Sequence, residues 1–212
     1  MTERNQREDR IRNRRNGGWG TTSSTYFYVV HQVFGESDKT SRRDPEQRSV
    51  WVYAGIPVLL AGVEAYLIQH QHLLKDSSGM KVLAGIDPLK EVLKLYPLPA
   101  ELQADMEALI EIRNQIVHPS PLPFGQPEWP ASLKRLHQLK VVDGNTPESG
   151  ANGLAMLGFH RVFEWAVERC AQALHLVADS DPDRAWMFHR HAEYLWQVLK
   201  KPSPTKLRVK RI

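Results

Sequence analysis

Arg113, Asn114 and His118 place an anion-binding fork, an amide and a proton carrier within six residues of one another. An arginine presents a planar, permanently charged fork that grips two oxygens of a phosphate or a carboxylate. A histidine ordinarily titrates near neutrality, so it can give and take a proton under mild conditions. Asn114 and His118 are i and i+4 and share a helix face, so the amide is placed to orient the imidazole or to bind an anionic oxygen. The arginine stands where an aliphatic residue is expected. Leu102, Met106, Leu109, Ile116 and Val117 fall at offsets 0, +4, +7, +14 and +15, the apolar stripe of a helix. Arg113, at +11, lies on that stripe, and a charge there is costly unless it is paired or faces a wet cleft. Pro119 ends the helix, because the residue before a proline is pushed out of the α region. His118 is thereby held at the rim.

Glu64 is a second polar residue in apolar company, among Leu59, Leu60, Val63, Tyr66 and Leu67. The spacing predicts a contact across helices, Glu64 to Arg113, that fixes the guanidinium in a cleft. A half-exposed edge position without a role is the plainer alternative. The other chemistry-bearing residues group less well. His70/His72 and His189/His191 are i, i+2 pairs that point about 200° apart on a helix and do not share one ion. His160/Glu164 and His189/Glu193 have i, i+4 spacing but lack a third ligand nearby in sequence and read as surface or edge pairs. No metal site is expected. Cys170 reads as a small buried apolar residue. Of the six tryptophans, Trp51, Trp165, Trp186 and Trp196 stand at core spacing, whereas Trp19 and Trp129 lie in Gly- or Pro-rich loops where a partner or a base can stack.

The elements that must position these residues are helical. After an arm over 1–20 comes Tyr26 to Phe34, aromatic and β-branched, which fits strand or helix. A polar connector over Ser37 to Asp44 precedes a long helix from about Pro45 to Leu74. Pro45 suits its first turn and Pro57 should kink it. Asp87-Pro88 opens a short helix ending near Tyr96-Pro97, and Pro99 opens the helix that carries Arg113. Residues 119–150 are proline-rich, with a helical turn expected at Ala131 to Leu139. One helix is expected from Gly153 to about Ala178, and another from Asp181-Pro182 to near Leu199. The expected fold class is all-α: a bundle of four to five helices with a Pro-rich insertion and basic disordered tails. The domain plan is an arm (1–20), a single helical domain (21–200) and a basic tail (201–212).

Composition bounds the function. A chain of 212 residues with six Trp, six Tyr and six Phe is long enough for one good core or two small ones. The longest apolar stretch, Val50 to Ile68, carries Glu64, Pro57 and two glycines, so no membrane span is expected. The N-terminus lacks the apolar run of a secretory signal. A lone cysteine excludes an internal disulfide and fits a reducing, cytoplasmic setting. The formal charge of +4 conceals an uneven distribution. Residues 1–20 hold six arginines against Glu3, Glu8 and Asp9, and residues 200–212 hold six lysines and arginines with no acid. The remaining chain is therefore at −5. Basic arms attract nucleic acid by displacing counterions, although solvated ends are an equal reading.

Arg113, Asn114 and His118, followed by Pro119 and preceded by an apolar helix, resemble the R-x4-H motif of the HEPN superfamily of small all-α domains, many of them metal-independent RNases. The bare spacing recurs at Arg184 to His189, but without the amide, the apolar helix before it or the proline stop. The resemblance covers about residues 45–180. It implies a homodimer with both motifs facing one cleft, His118 as general base or acid on the RNA 2′-hydroxyl, and Arg113 neutralising the scissile phosphate. It implies no cofactor, since RNA carries its own nucleophile, and 2′,3′-cyclic phosphate and 5′-hydroxyl ends as products. A toxin or defence effector with an antitoxin or defence-system partner protein is the corresponding role. Toxins of this superfamily that are silenced by tyrosine modification often carry a Tyr two residues after the His, and Ser120 stands there. The alternative is a non-catalytic HEPN-like module that binds RNA, nucleotide or a partner protein, with Arg113 and His118 structural.

Overall fold

A computed structural model describes residues 21–78, 88–118, 130–142, 153–180 and 182–202. The protein is all-α: among the described residues there are eight helices and no strand. They are α1 (Thr21–Arg43), α2 (Val50–Ser78), α3 (Pro88–Leu93), α4 (Ala100–Val117), α5 (Ala131–Gln138), α6 (Gly153–Met156), α7 (His160–Asp179) and α8 (Pro182–Val198). The arm over 1–20, most of the Pro-rich segment and the tail beyond Pro202 lie outside the described residues, as do Trp19, Trp129 and Ser120.

The ambiguity at Tyr26 to Phe34 resolves as helix. Ser23, Phe27, Val30, Phe34 and Ser37 are buried at spacings of four and three, a single helical stripe. The connector expected at Ser37 to Asp44 is mostly the last two turns of this helix. The next helix starts at Val50, not at Pro45. Asp44 and Pro45 form a turn in which the Asp44 carbonyl accepts from the Gln47 N–H at 3.0 Å and the Asp44 carboxylate accepts from the Glu46 N–H at 3.0 Å. Ser49 instead caps α2, its hydroxyl accepting from the Trp51 N–H at 3.3 Å.

Helix α2 is central. Val52, Ile56, Leu59, Leu60, Val63, Tyr66 and Leu67 are buried along it, and it packs against α1, α3, α4 and α7. Helix continues through Pro57. Its two glycines admit neighbours: a Cβ on Gly55 would stand 2.2 Å from the Phe163 ring of α7, and one on Gly62 would stand 2.7 Å from Phe27 of α1. By length and composition Val50–Gln71 is apolar enough to cross a membrane, and half of its most apolar window is buried inside the protein.

The helix expected from Gly153 to Ala178 is broken into α6 and α7 at Leu157 to Phe159. At the break the Gly158 carbonyl accepts from the Ser49 N–H at 2.8 Å, and a Cβ on Gly158 would meet the Tyr53 hydroxyl at 2.8 Å. The start of α2 thus packs directly against the break. Helices α7 and α8 form a hairpin whose inner face closes on α1 and α2 in one core with Phe163, Ala166, Cys170, Leu174 and Leu195. Trp165 and Trp196 are buried as expected, but Trp51 is 42% exposed. It stands in the first turn of α2, where the buried stripe begins with Val52.

Candidate functional site

Helix α4 packs on α2, α5 and α7. Leu102, Met106, Leu109 and Ile112 are buried on its inner side. The stripe then becomes shallower: Ile116 is half-buried, Val117 is half exposed rather than part of the core, and His118 is exposed. His118 adopts φ −126° and ψ 70°, outside the helical region as its position before a proline requires, while its N–H still donates to the Asn114 carbonyl at 2.8 Å. The imidazole is held at the rim by backbone geometry. Its ring has no hydrogen-bond partner among the described residues.

Arg113 is set one turn deeper. Its side chain is 18% exposed, and Nη1 lies 3.7 Å from Glu64 Oε2 on α2, whose side chain is 27% exposed. The contact expected across helices is therefore present. Of the two roles expected for Asn114, the structure does not show a side-chain contact with His118. Its amide oxygen accepts from Arg113 Nε at 3.1 Å and from Nη2 at 3.0 Å, so the side chain serves the arginine rather than His118. The long arginine chain reaches around the helix to its neighbour, a contact that helical spacing does not suggest. Arg113 is thus flanked on one side by a carboxylate and on its Nε edge by an amide, and the exposed His118 ends the same helix five residues on. The helix end thus carries a cation able to take an anionic ligand and, at its rim, a side chain able to carry a proton.

Helix α4 is anchored by a buried charge cluster that sequence reasoning missed. Asp105, with only 4% of its side chain exposed, accepts from Arg135 Nε of α5 at 2.8 Å and lies 3.3 Å from Arg169 Nε of α7. Arg135 also reaches Glu101 at 2.5 Å. These bonds hold its guanidinium pKa above the usual range, the Glu101 bond contributing most. Glu111 supplies the N-terminal acceptor that α5 lacks locally: Pro130 precedes that helix, and the Glu111 carboxylate accepts from the Ser132 N–H at 2.9 Å. The signal for Asp105 was in the chain, since it stands beside Met106 on the apolar stripe as Arg113 does. Both break the stripe, and only the arginine has a companion that suggests chemistry.

His160, His70 and His191 have partners outside their own helices. His160 Nδ1 lies 2.9 Å from the Ser37 hydroxyl, and its ring packs on Phe34 at 4.7 Å between centroids. The nearby Glu164 acts on it only as a charge that raises its pKa, and burial outweighs this and lowers the pKa. His70 Nδ1 meets the Tyr96 hydroxyl at 2.6 Å, and His191 Nε2 meets the Ser24 hydroxyl at 2.7 Å. Among the described residues no three His, Cys, Asp or Glu side chains come together as a metal-binding group. Cys170 is fully enclosed, and burial pushes its thiol far above the ordinary range. The start of the basic tail is engaged: Lys200 lies 3.7 Å from Asp38, and Lys201 lies 2.6 Å from Glu168 and 3.4 Å from Glu164.

Comparison of the chain with protein-family profiles, with curated proteins and with solved structures finds no match.

Proposed function

We propose that the protein is a metal-independent endoribonuclease of the HEPN type, built on a bundle of four to five main helices and acting as a toxin or defence effector. The observation that carries the reading is the half-buried Arg113, braced by Glu64 and Asn114 one turn inside an exposed His118 at the end of α4. On this reading His118 removes the proton of an RNA 2′-hydroxyl. The 2′-oxygen bonds to phosphorus, and the bond to the 5′-oxygen breaks. That oxygen takes a proton, leaving a 2′,3′-cyclic phosphate and a 5′-hydroxyl. Arg113 holds the non-bridging oxygens and offsets the charge that develops on them. One histidine and one arginine make a sparse site, so the working form is a homodimer that brings two motifs to one cleft and supplies base and acid from the two His118 side chains.

A second reading has its own support. The Glu64–Arg113 pair joins α2 to α4 as a purely structural arginine would, in a module that binds RNA, nucleotide or a partner protein without cleaving. The experiment is RNA cleavage by wild type and His118→Ala, with and without EDTA. Under the nuclease reading cleavage survives the chelator and falls by about two orders of magnitude or more in the variant, while RNA still binds. Equal activity in the two proteins removes His118 from the mechanism, and no cleavage by either leaves the binding module.

A further inference from the structure

We infer that Asn114 is a placeholder for the phosphate: its side-chain oxygen occupies the Arg113 edge that an RNA phosphate takes, and it must swing away for the ligand to bind. The inference rests on the phosphate-binding role given to Arg113 above. A guanidinium offers two edges for side-by-side recognition of paired oxygens, Nε with Nη2 and Nη1 with Nη2. In this protein the first edge is closed by Asn114 Oδ1, at 3.1 Å from Nε and 3.0 Å from Nη2, and the second faces Glu64, 3.7 Å from Nη1. The two occupants differ in how readily they leave. Glu64 is anionic and anchored on α2, with about a quarter of its side chain exposed, so it keeps its place and fixes the plane of the fork. Asn114 is neutral and exposed, and rotation about its own side-chain bonds is enough to clear the Nε edge.

The exchange is favourable for a phosphate because an ionised oxygen accepts from a guanidinium more strongly than an amide oxygen does. It also gives selectivity against weak acceptors, since a neutral carbonyl gains nothing by replacing another. Asn114 therefore lowers affinity for the ligand while keeping the half-buried guanidinium hydrogen-bonded in its absence. This is the opposite of a group that contributes to binding, and the two assignments predict opposite signs.

The test measures binding of a short 5′-labelled single-stranded oligonucleotide of 2′-deoxyribose, which has the phosphates of RNA but not the attacking hydroxyl, to the full chain by fluorescence anisotropy. Removing the competitor in Asn114→Ala is expected to tighten binding by about three- to tenfold, the equivalent of about one ordinary hydrogen bond. Asn114→Asp places an ionised competitor on the same edge and is expected to weaken binding below wild type, an effect that shrinks as added salt screens it. Arg113→Ala serves as the reference. If Arg113→Ala binds as wild type does, the phosphate-binding role itself falls, and this inference with it. If Arg113→Ala weakens binding while Asn114→Ala leaves it unchanged or weaker, the arginine role stands and the placeholder is overturned.

Discussion

Replacing both members of the Glu64–Arg113 pair by apolar residues should leave the protein as stable as wild type or more stable, although each single replacement destabilises it. The side chains are 18% and 27% exposed with a closest approach of 3.7 Å. At an effective dielectric of about 20 the attraction at that distance is about 4 kcal/mol before any cost is set against it. Drawing two ions mostly out of water costs a comparable amount, so the pair contributes little net stability. Arg113→Met takes from the Glu64 carboxylate the cation that faces it, and Glu64→Leu takes from the guanidinium its facing anion and leaves it the Asn114 amide. Stranding a fully buried charge costs about 3–5 kcal/mol, and the water that still reaches both groups reduces this to about 1–3 kcal/mol. The double variant removes both charges and extends the apolar stripe of α4 onto the face of α2. Its expected stability lies between that of wild type and about 2 kcal/mol above it. Urea unfolding of the four proteins, with the slope checked for constancy, measures the cycle. A double variant as unstable as the worse single variant would refute the reasoning, because it would show that the pair is retained for the fold. A stable double variant that has lost RNA cleavage or binding is the signature of charges kept for function at the expense of packing.

Two further outcomes follow from the charge clusters. Asp105→Asn leaves Arg135 and Arg169 facing a neutral amide in a buried cleft, and should cost about 2–3 kcal/mol in the same unfolding assay, less than a fully buried ion pair because both arginines keep some water; a loss below about 0.5 kcal/mol would mean that α4 is held by its apolar face alone. His160 has a folded pKa lowered mainly by burial against the opposing pull of Asp38 and Glu164, so its contribution is complete above the ordinary value of 6.5 and is lost as pH falls through the lowered folded value. The stability difference between wild type and His160→Gln should therefore narrow as pH falls from about 7 to about 5, and a pH-independent difference would contradict it.

How far the sequence reveals this molecule depends on which interactions are local. Helical periodicity is local, and α3, α4, α5 and α8 begin or end within a residue or two of the positions it predicts. Start signals compete where two lie close together. Pro45 and Ser49 both suit the opening of a helix, and the choice of Ser49 is secured by Gly158, more than a hundred residues away, which accepts from its N–H. The same contact lies at the break between α6 and α7, so one tertiary hydrogen bond joins the two places where the helix bounds depart from the local signals. Helix ends are also written without the residue that usually marks them. Lys140 and Lys200 both adopt φ 56° and close α5 and α8, with the N–H after each bonded back to Leu136 and to Trp196, in a turn that glycine would enter with less strain.

At the candidate site, the polar residues that interrupt an apolar stripe are legible, because a charge there must have a reason. Arg113 and Glu64 declare themselves in this way, and the packing of α4 on α2 brings them together. What the stripe does not convey is which partner each charge takes. Asp105 interrupts the same helix and turns inward to two arginines on α5 and α7, a bracing role that no spacing within α4 announces. Asn114 shares a face with His118 by position, yet the reach of the arginine side chain, three methylenes and a planar head, lets it take the amide oxygen one residue away. Periodicity places backbones and first atoms, and it loses authority along a long side chain. The residues whose roles are hardest to read from this chain are accordingly those next to an arginine, where the flexible partner decides the contact.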